Sequence, residues 1–126
     1  MARQMLNLLF IDDDAFVLSA YQRMLHNAAY QCQFVQQPEH IWLLPELANV
    51  DMVLVDQQMP GIRGSELLWQ LQQRYPAIKR VLITGDVEAA LQQLPAELVL
   101  DAVLAKPCSK ATLIQSIAEL GRSLQQ

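Results

Sequence analysis

Short runs of apolar, often β-branched residues alternate along the chain with segments whose apolar residues recur at helical spacing. Apolar runs of four to eight residues are typical of buried strands, whereas recurrence every three or four residues indicates an amphipathic helix. The strand patterns end at polar residues or at turn-forming residues. The pattern predicts five strands, at residues 6–11, 32–35, 52–55, 81–83 and 102–105.

Five helical segments follow the five strands. Asp14 is expected to cap the first helix, whose apolar positions begin at Phe16. Pro45 lies inside the second segment and must kink or split it, because proline has no backbone N–H to donate. Gly121 is expected to cap or fray the last helix. The predicted helical segments cover residues 16–28, 38–48, 64–75, 87–94 and 113–124.

Five repeats of strand followed by helix predict parallel strands joined by right-handed crossovers. The strands are apolar on both faces, as strands covered by helices on both sides should be. We therefore predict a three-layer, doubly wound α/β sandwich with a five-stranded parallel sheet. No internal repeat or linker divides the chain, so residues 1–126 are predicted to be one domain.

Polar residues that could carry chemistry follow four of the five strands. Asp12 and Asp13 end the first strand, Asp56 the third, Thr84 the fourth and Lys106 the fifth. Each one alone has an ordinary explanation as a turn, capping or strand-end residue. Ligands of open parallel sheets bind beyond the carboxyl ends of the strands, where all five residues are expected to meet.

Three carboxylates at one edge of the sheet predict a cation site, because close carboxylates repel one another unless a cation or proton intervenes. Oxygen ligands from a few side chains suit Mg²⁺, with phosphate oxygens completing its shell. Asp12, Asp13 and Asp56 would hold the metal, and Asp56 would also be the nucleophile of an aspartyl-phosphate. Lys106 would stabilise the charge of the phosphoryl group, and the Thr84 hydroxyl would donate a hydrogen bond to it.

The composition of the chain argues against several classes of protein. Hydrophobic residues make up 52% of the 126 residues, which argues against disorder, and no apolar run is long enough for a membrane span. A net charge of −4 argues against direct nucleic-acid binding. Cys32 and Cys108 lack a disulfide or metal-ligand pattern, which favours free thiols in the cytoplasm. Cys108 is expected at the start of the last helix, where the helix dipole would lower its pKa.

Four stretches together resemble the receiver domain of two-component response regulators. Each motif is weak alone, but all four occur in order with the spacing of the family across the whole chain. They are Phe10-Ile11-Asp12-Asp13-Asp14, Val53-Leu54-Val55-Asp56-Gln57-Gln58-Met59-Pro60-Gly61, Val81-Leu82-Ile83-Thr84-Gly85 and Leu104-Ala105-Lys106-Pro107.

The resemblance implies a role for each matching residue. It implies that Asp56 accepts a phosphoryl group from a histidine kinase or a phosphotransfer protein. Asp12 and Asp13 match the acidic pair that binds Mg²⁺, and Gln58 matches the position whose backbone carbonyl completes the metal site. Thr84 matches the switch hydroxyl, and Lys106 matches the phosphate-facing lysine.

The resemblance also implies the strand order 2-1-3-4-5 of the flavodoxin-like fold and a cis peptide between Lys106 and Pro107. Two departures concern the output side of the family. Val103 stands where the family usually has Phe or Tyr as an aromatic switch, and a valine cannot turn inward as a ring does. The helical segment 87–94 is also short and is followed by Pro95.

The favoured hypothesis is a bacterial, cytoplasmic signalling switch with no enzymatic activity beyond phosphoryl acceptance and slow self-dephosphorylation. Its partners would be the kinase or phosphotransfer protein, with a fused or separate output domain and a homodimer left open. The chain would be a single-domain regulator or a piece of a longer protein. A degenerate receiver that only docks is the first alternative. The second is a haloacid-dehalogenase-type phosphatase with Asp12 as nucleophile and Asp14 as acid/base.

Overall fold

All five predicted strands are present, in a computed structural model that describes residues 5–122 and residue 124. The second and fourth strands each begin two residues earlier than their apolar runs predict. The strands are β1 Leu6–Ile11, β2 Tyr30–Val35, β3 Met52–Asp56, β4 Lys79–Thr84 and β5 Ala102–Ala105. They pair in parallel in the order β2-β1-β3-β4-β5, which confirms the predicted fold class and order.

Helices cover both faces of the sheet, so the molecule has the predicted three layers. Asp14 caps the first helix as predicted, since its side chain accepts a hydrogen bond from the N–H of Phe16 at 2.9 Å. The α-helices are α1 Ala15–Met24, α2 Gly64–Arg74, α3 Val87–Leu91 and α4 Lys110–Arg122.

Two separate apolar clusters form the core, one on each face of the sheet. On one face, Phe10 of β1 packs with α1 and α4. On the other, Leu82 of β4 packs with α2 and α3. Strands covered on both faces bury every side chain, and all five residues of β3 are buried. Asp56 is therefore carried by the most enclosed strand, at its carboxyl end.

The helix predicted for residues 38–48 is wrong in type. Two 3-10 helices occupy the segment, Pro38–Leu43 and Leu47–Asn49. Pro45 lies between them, as expected of a residue that cannot donate to a helix and disfavours helical geometry in its predecessor. Ile41 and Leu47 still reach the core, so the segment keeps its apolar contacts without forming an α-helix.

Two further expectations about the helices are wrong. Phe16 was predicted on the apolar face of α1, but its side chain is 85% exposed, because Leu18 and Tyr21 occupy the buried face. Gly121 lies in the last turn of α4, one residue before Arg122, so it does not cap the helix, and fraying at this end stays a prediction. A Cβ at Gly121 would overlap the side chain of Leu6, so this glycine allows α4 to approach β1 closely.

The longest described helix has 13 residues. None of the helices in the described ranges combines the length and the hydropathy that a bilayer crossing requires.

We predict that Gly64→Ala destabilises the protein by about 1–3 kcal/mol, the usual cost of overpacking. A Cβ at Gly64 would overlap the backbone carbonyl of Asp56, which cannot move aside as a flexible side chain would. This result would be opposite in sign to helix propensity, which favours alanine over glycine. Urea unfolding followed by circular dichroism measures the change.

Gly85→Ala is the matched control, because a Cβ at Gly85 would meet nothing within 4 Å. We expect its free energy of unfolding to stay within about 1 kcal/mol of the parent. Equal stabilities of the two variants would contradict the close approach of α2 to β3.

Candidate functional site

The carboxyl ends of β1 and β3 bring three acidic side chains together. One carboxylate oxygen from each of Asp12, Asp13 and Asp56 lies within 4.8 Å of the others. β1 and β3 are neighbours in the sheet, so the residues at their carboxyl ends must lie side by side. Asp12 is 1% exposed and Asp56 is 6% exposed, whereas Asp13 is the most accessible of the three.

Lys106 joins the ends of three strands. Its ammonium Nζ lies 2.8 Å from Oδ2 of Asp12 and 2.9 Å from Oδ1 of Asp56. Oδ1 of Asp12 also accepts a hydrogen bond from the backbone N–H of Asp14, at 2.9 Å. Buried charges are tolerated when they are paired and hydrogen-bonded in this way.

The pKa values of this cluster are set by burial and by charge. Burial raises the pKa of Asp56 above its ordinary value, the hydrogen bond from Lys106 lowers it, and the charge of Asp12 raises it again. Burial alone would lower the pKa of Lys106, but its hydrogen bonds to Asp12 and Asp56 outweigh that effect and raise it. Lys106 therefore stays charged, while Asp56 lies in a surplus of negative charge.

The donor set fits a hard divalent cation. Three carboxylates and one ammonium leave two negative charges uncompensated, and all the donor atoms are oxygens. Mg²⁺ prefers oxygen ligands and usually takes only a few of them from the protein. Asp12, Asp13 and Asp56 are the described residues that could hold such an ion.

Thr84 lies buried at the end of β4, but its hydroxyl is engaged within its own turn. Oγ1 accepts a hydrogen bond from the N–H of Asp86 at 3.1 Å and donates to the carbonyl of Asp86 at 3.3 Å. The backbone carbonyl of Thr84 accepts from the N–H of Lys106 at 2.8 Å. To donate a hydrogen bond to a phosphoryl group, the Thr84 hydroxyl would have to break its hydrogen bonds with Asp86.

Gln58 and Val103 lie outside the charged cluster. Gln58 is exposed and lies two residues after Asp56, in the loop that leads to α2, so the metal role of its carbonyl stays a prediction. Val103 is half-buried and packs against the apolar cluster on the α2 and α3 face. The Lys106–Pro107 peptide is cis, as the resemblance implies.

The expectation for Cys108 is wrong. α4 begins at Lys110, so Cys108 precedes the helix instead of opening it. Its thiol is 8% exposed, and burial raises its pKa. A raised pKa reduces the thiolate fraction, which makes this cysteine a structural residue of the apolar core.

The sequence analysis did not identify the residues that hold the Asp56 loop, which joins β3 to α2 and comprises residues 57–63. Gln57 is fully buried, and its backbone carbonyl accepts a hydrogen bond from the N–H of Gly64 at 3.1 Å. Its side-chain oxygen accepts from the N–H of Ser65 at 2.8 Å. The glycine at the start of α2, Gly64, could have indicated that α2 lies close to Asp56. Nothing in the sequence indicated that Gln57 is buried.

A family model described as the response regulator receiver domain matches residues 8–118. Among curated proteins, the DNA-binding transcriptional regulator NtrC of Salmonella typhimurium is 29% identical over 83 residues, which cover 64% of this chain and 18% of NtrC. The sensory/regulatory protein RpfC of Xanthomonas campestris pv. campestris is 28% identical over 127 aligned residues, covering 96% of this chain and 17% of RpfC. The chain therefore spans less than a fifth of these curated relatives.

Two solved structures are similar in fold. The signal receiver domain of an HD domain-containing protein from Pseudomonas fluorescens has a TM-score of 0.86 at 23% identity, covering 94% of this chain and 96% of that one. The chemotaxis protein CheY4 of Vibrio cholerae has a TM-score of 0.83 at 19% identity, covering 92% and 98%. Because the family model spans most of the chain and the sheet order agrees, this chain belongs to the receiver domain family of two-component response regulators.

Proposed function

We propose that this receiver domain accepts a phosphoryl group on Asp56 from a histidine kinase or a phosphotransfer protein, with Mg²⁺ as cofactor. The observation that carries the proposal is the pairing of Lys106 with both Asp12 and Asp56, with Asp13 alongside. One ammonium, one nucleophilic carboxylate and a surplus of acidic oxygens are the groups that phosphoryl transfer to an aspartate requires.

Asp56 would be the nucleophile, because one of its oxygens is held by Lys106 and the other remains available for attack on phosphorus. As the new oxygen–phosphorus bond forms, the bond from phosphorus to the donor imidazole nitrogen breaks, and its electron pair stays on the imidazole. Lys106 would shift toward the transferred oxygens and stabilise their charge. Asp12, Asp13, Asp56 and the carbonyl of Gln58 would hold Mg²⁺, which neutralises negative charge on the phosphoryl group.

Receiver domains are signalling modules and not classical enzymes, so the result of phosphorylation is a shift between conformations. Thr84 would start that shift if its hydroxyl leaves Asp86 and donates to a phosphoryl oxygen. Val103 cannot follow with a ring rotation, because it has no ring. We propose that this chain transmits the conformational change through movement of its backbone and not through an aromatic switch.

The proposed partners follow the family. Residues 1–126 would act as one receiver domain, either alone or within a longer protein that carries an output domain. A homodimer is compatible with this arrangement. The acidic net charge of −4 supports the absence of direct nucleic-acid binding by this domain. A cytoplasmic location stays a prediction from the sequence.

A domain that docks without being phosphorylated is the second candidate, favoured by Val103 and by the five-residue helix α3. In the phosphatase alternative Asp12 would be the nucleophile, but Asp12 is buried and both of its carboxylate oxygens are already hydrogen-bonded. That arrangement favours Asp56 as the nucleophile.

We predict that Asp56→Asn abolishes phosphate incorporation from acetyl phosphate in the presence of Mg²⁺, because the amide removes the nucleophilic oxygen. Mass spectrometry and hydroxylamine sensitivity measure the acyl phosphate. Asp14→Asn is the matched control: Asp14 is an exposed N-cap, and asparagine caps a helix equally well. The control should incorporate phosphate like the parent.

Incorporation that persists in Asp56→Asn would contradict Asp56 as the phosphoacceptor. Turnover of p-nitrophenyl phosphate that is lost in Asp12→Asn and kept in Asp56→Asn would favour the phosphatase.

We predict that Lys106→Ala separates metal binding from phosphorylation. Removing the ammonium leaves three uncompensated carboxylates, so the Mg²⁺ concentration for half-saturation should fall roughly severalfold. The phosphorylation rate should fall about a hundredfold, since a group that stabilises transition-state charge is lost. Titration by NMR and the acetyl phosphate assay provide the two measurements.

Lys110→Ala removes the same charge from an exposed position four residues away, and we expect parental values for both quantities. A parental phosphorylation rate in Lys106→Ala would contradict its proposed role. No saturable Mg²⁺ binding by the parent would favour the docking module.

A further inference from the structure

Gln57, which directly follows Asp56, is a fully buried polar residue. Its exposed fraction is 0%, and so is that of Ser65 in the first turn of α2. Nε2 of Gln57 and Oγ of Ser65 have no hydrogen-bond partner within the part of the chain that the structure describes. Burying unpartnered polar atoms costs stability. An apolar side chain at position 57 would avoid this cost, but it would offer no acceptor to a backbone N–H.

Gln57 supplies the cap that the start of α2 otherwise lacks. Arg63 occupies the N-cap position and makes no capping bond with its side chain. The first N–H groups of a helix have no partner within the helix. Residue 57 accepts hydrogen bonds from two of them, from Gly64 through its backbone oxygen at 3.1 Å and from Ser65 through Oε1 at 2.8 Å.

A third hydrogen bond fixes the same residue to the sheet. The N–H of Gln57 donates to the carbonyl of Ile83 in β4, at 2.9 Å. Residue 57 is thus held by β4 on one side and by α2 on the other. The carboxylate of Asp56, one residue away, lies 2.9 Å from Lys106. A nucleophile held close to its reactive orientation reacts faster than one that samples many orientations.

We propose that Gln57 is a positioning residue for phosphoryl acceptance. Its buried amide oxygen, bound to the N–H of Ser65, holds the Asp56 loop against α2 and keeps the Asp56 carboxylate oriented for attack. This inference rests on the proposed function of Asp56. Gln57 acts through Asp56 and not on the phosphoryl group itself, and its unpartnered Nε2 is the structural cost of keeping an acceptor at this buried position.

The test is Gln57→Met, which preserves length and volume but removes the amide oxygen. At saturating Mg²⁺ and saturating acetyl phosphate, we expect phosphorylation about tenfold slower than in the parent. The Mg²⁺ half-saturation should change little, because the three carboxylates remain. The thermal unfolding midpoint should also change little, since the variant loses a cap and an unpartnered Nε2 together. Faster hydrogen exchange at the Ser65 amide would report the lost bond directly.

Two matched controls accompany this variant. Gln70→Met makes the same chemical change at an exposed position of α2. Ser65→Ala removes the unpartnered hydroxyl but keeps the backbone N–H that Gln57 binds. Both should phosphorylate at the parental rate, and in Ser65→Ala the amide exchange at position 65 should stay slow.

The outcomes separate this inference from the proposed function. A parent that takes up no phosphate overturns the proposed function itself. A parent that is phosphorylated, with Gln57→Met reacting equally fast, overturns the positioning role and leaves the proposed function intact. A slow Gln57→Met whose unfolding midpoint also falls sharply, and whose rate recovers at a lower temperature, assigns the residue to folding and overturns the positioning role.

Discussion

The pairing of Lys106 with Asp12 and Asp56 is the interaction on which the site depends, because it allows two carboxylates to be buried at one edge of the sheet. Removing one partner of a buried pair leaves an uncompensated charge, which is far more costly than losing an exposed ion pair. Lys106 follows β5, which is separated from β3 by β4, so its side chain must reach across the end of β4. The observed order β1-β3-β4-β5 brings these groups together at one edge of the sheet, so the charge cluster depends on the parallel topology.

The same topology restricts how a change at Asp56 can spread. The loop before β5 is pinned to α2, since the side chain of Gln72 binds the backbone of both Glu97 and Val99. The buried guanidinium of Arg80 holds the carbonyl of Val99 at 2.8 Å. Val103 packs against the same apolar cluster as Leu98 and Leu100 of this loop, and it has no ring that could turn. Movement of the Thr84 hydroxyl would break its hydrogen bonds to Asp86, the N-cap of α3, whereas movement of the Gln57 peptide would act directly on α2.

The sequence was most informative where one physical rule acts on many residues. Alternating apolar runs predict parallel strands, and parallel strands bring Asp12, Asp56 and Lys106 to one edge, so the cluster could be predicted without coordinates. The placement of residues that compete with their neighbours for a buried position could not be predicted. Leu18 and Tyr21 occupy the buried face of α1, which leaves Phe16 exposed. The segment around Pro45 keeps its contacts with the core but forms two 3-10 helices. Gln57 is a polar residue that only a tertiary contact identifies as buried.

The net negative charge of this domain is distributed unevenly. Three carboxylates and Lys106 account for two of the four excess negative charges, and all of them lie in one crevice. The rest of the surface is nearly neutral, so it exerts little long-range attraction on a charged partner. Large apolar side chains do reach solvent, among them Phe16, which is 85% exposed and lies two residues beyond Asp14, whose N–H binds Asp12. Under the proposed function, a partner that approaches Asp56 would therefore be selected by shape and apolar contact, and the concentrated charge would be left for Mg²⁺ and the phosphoryl group.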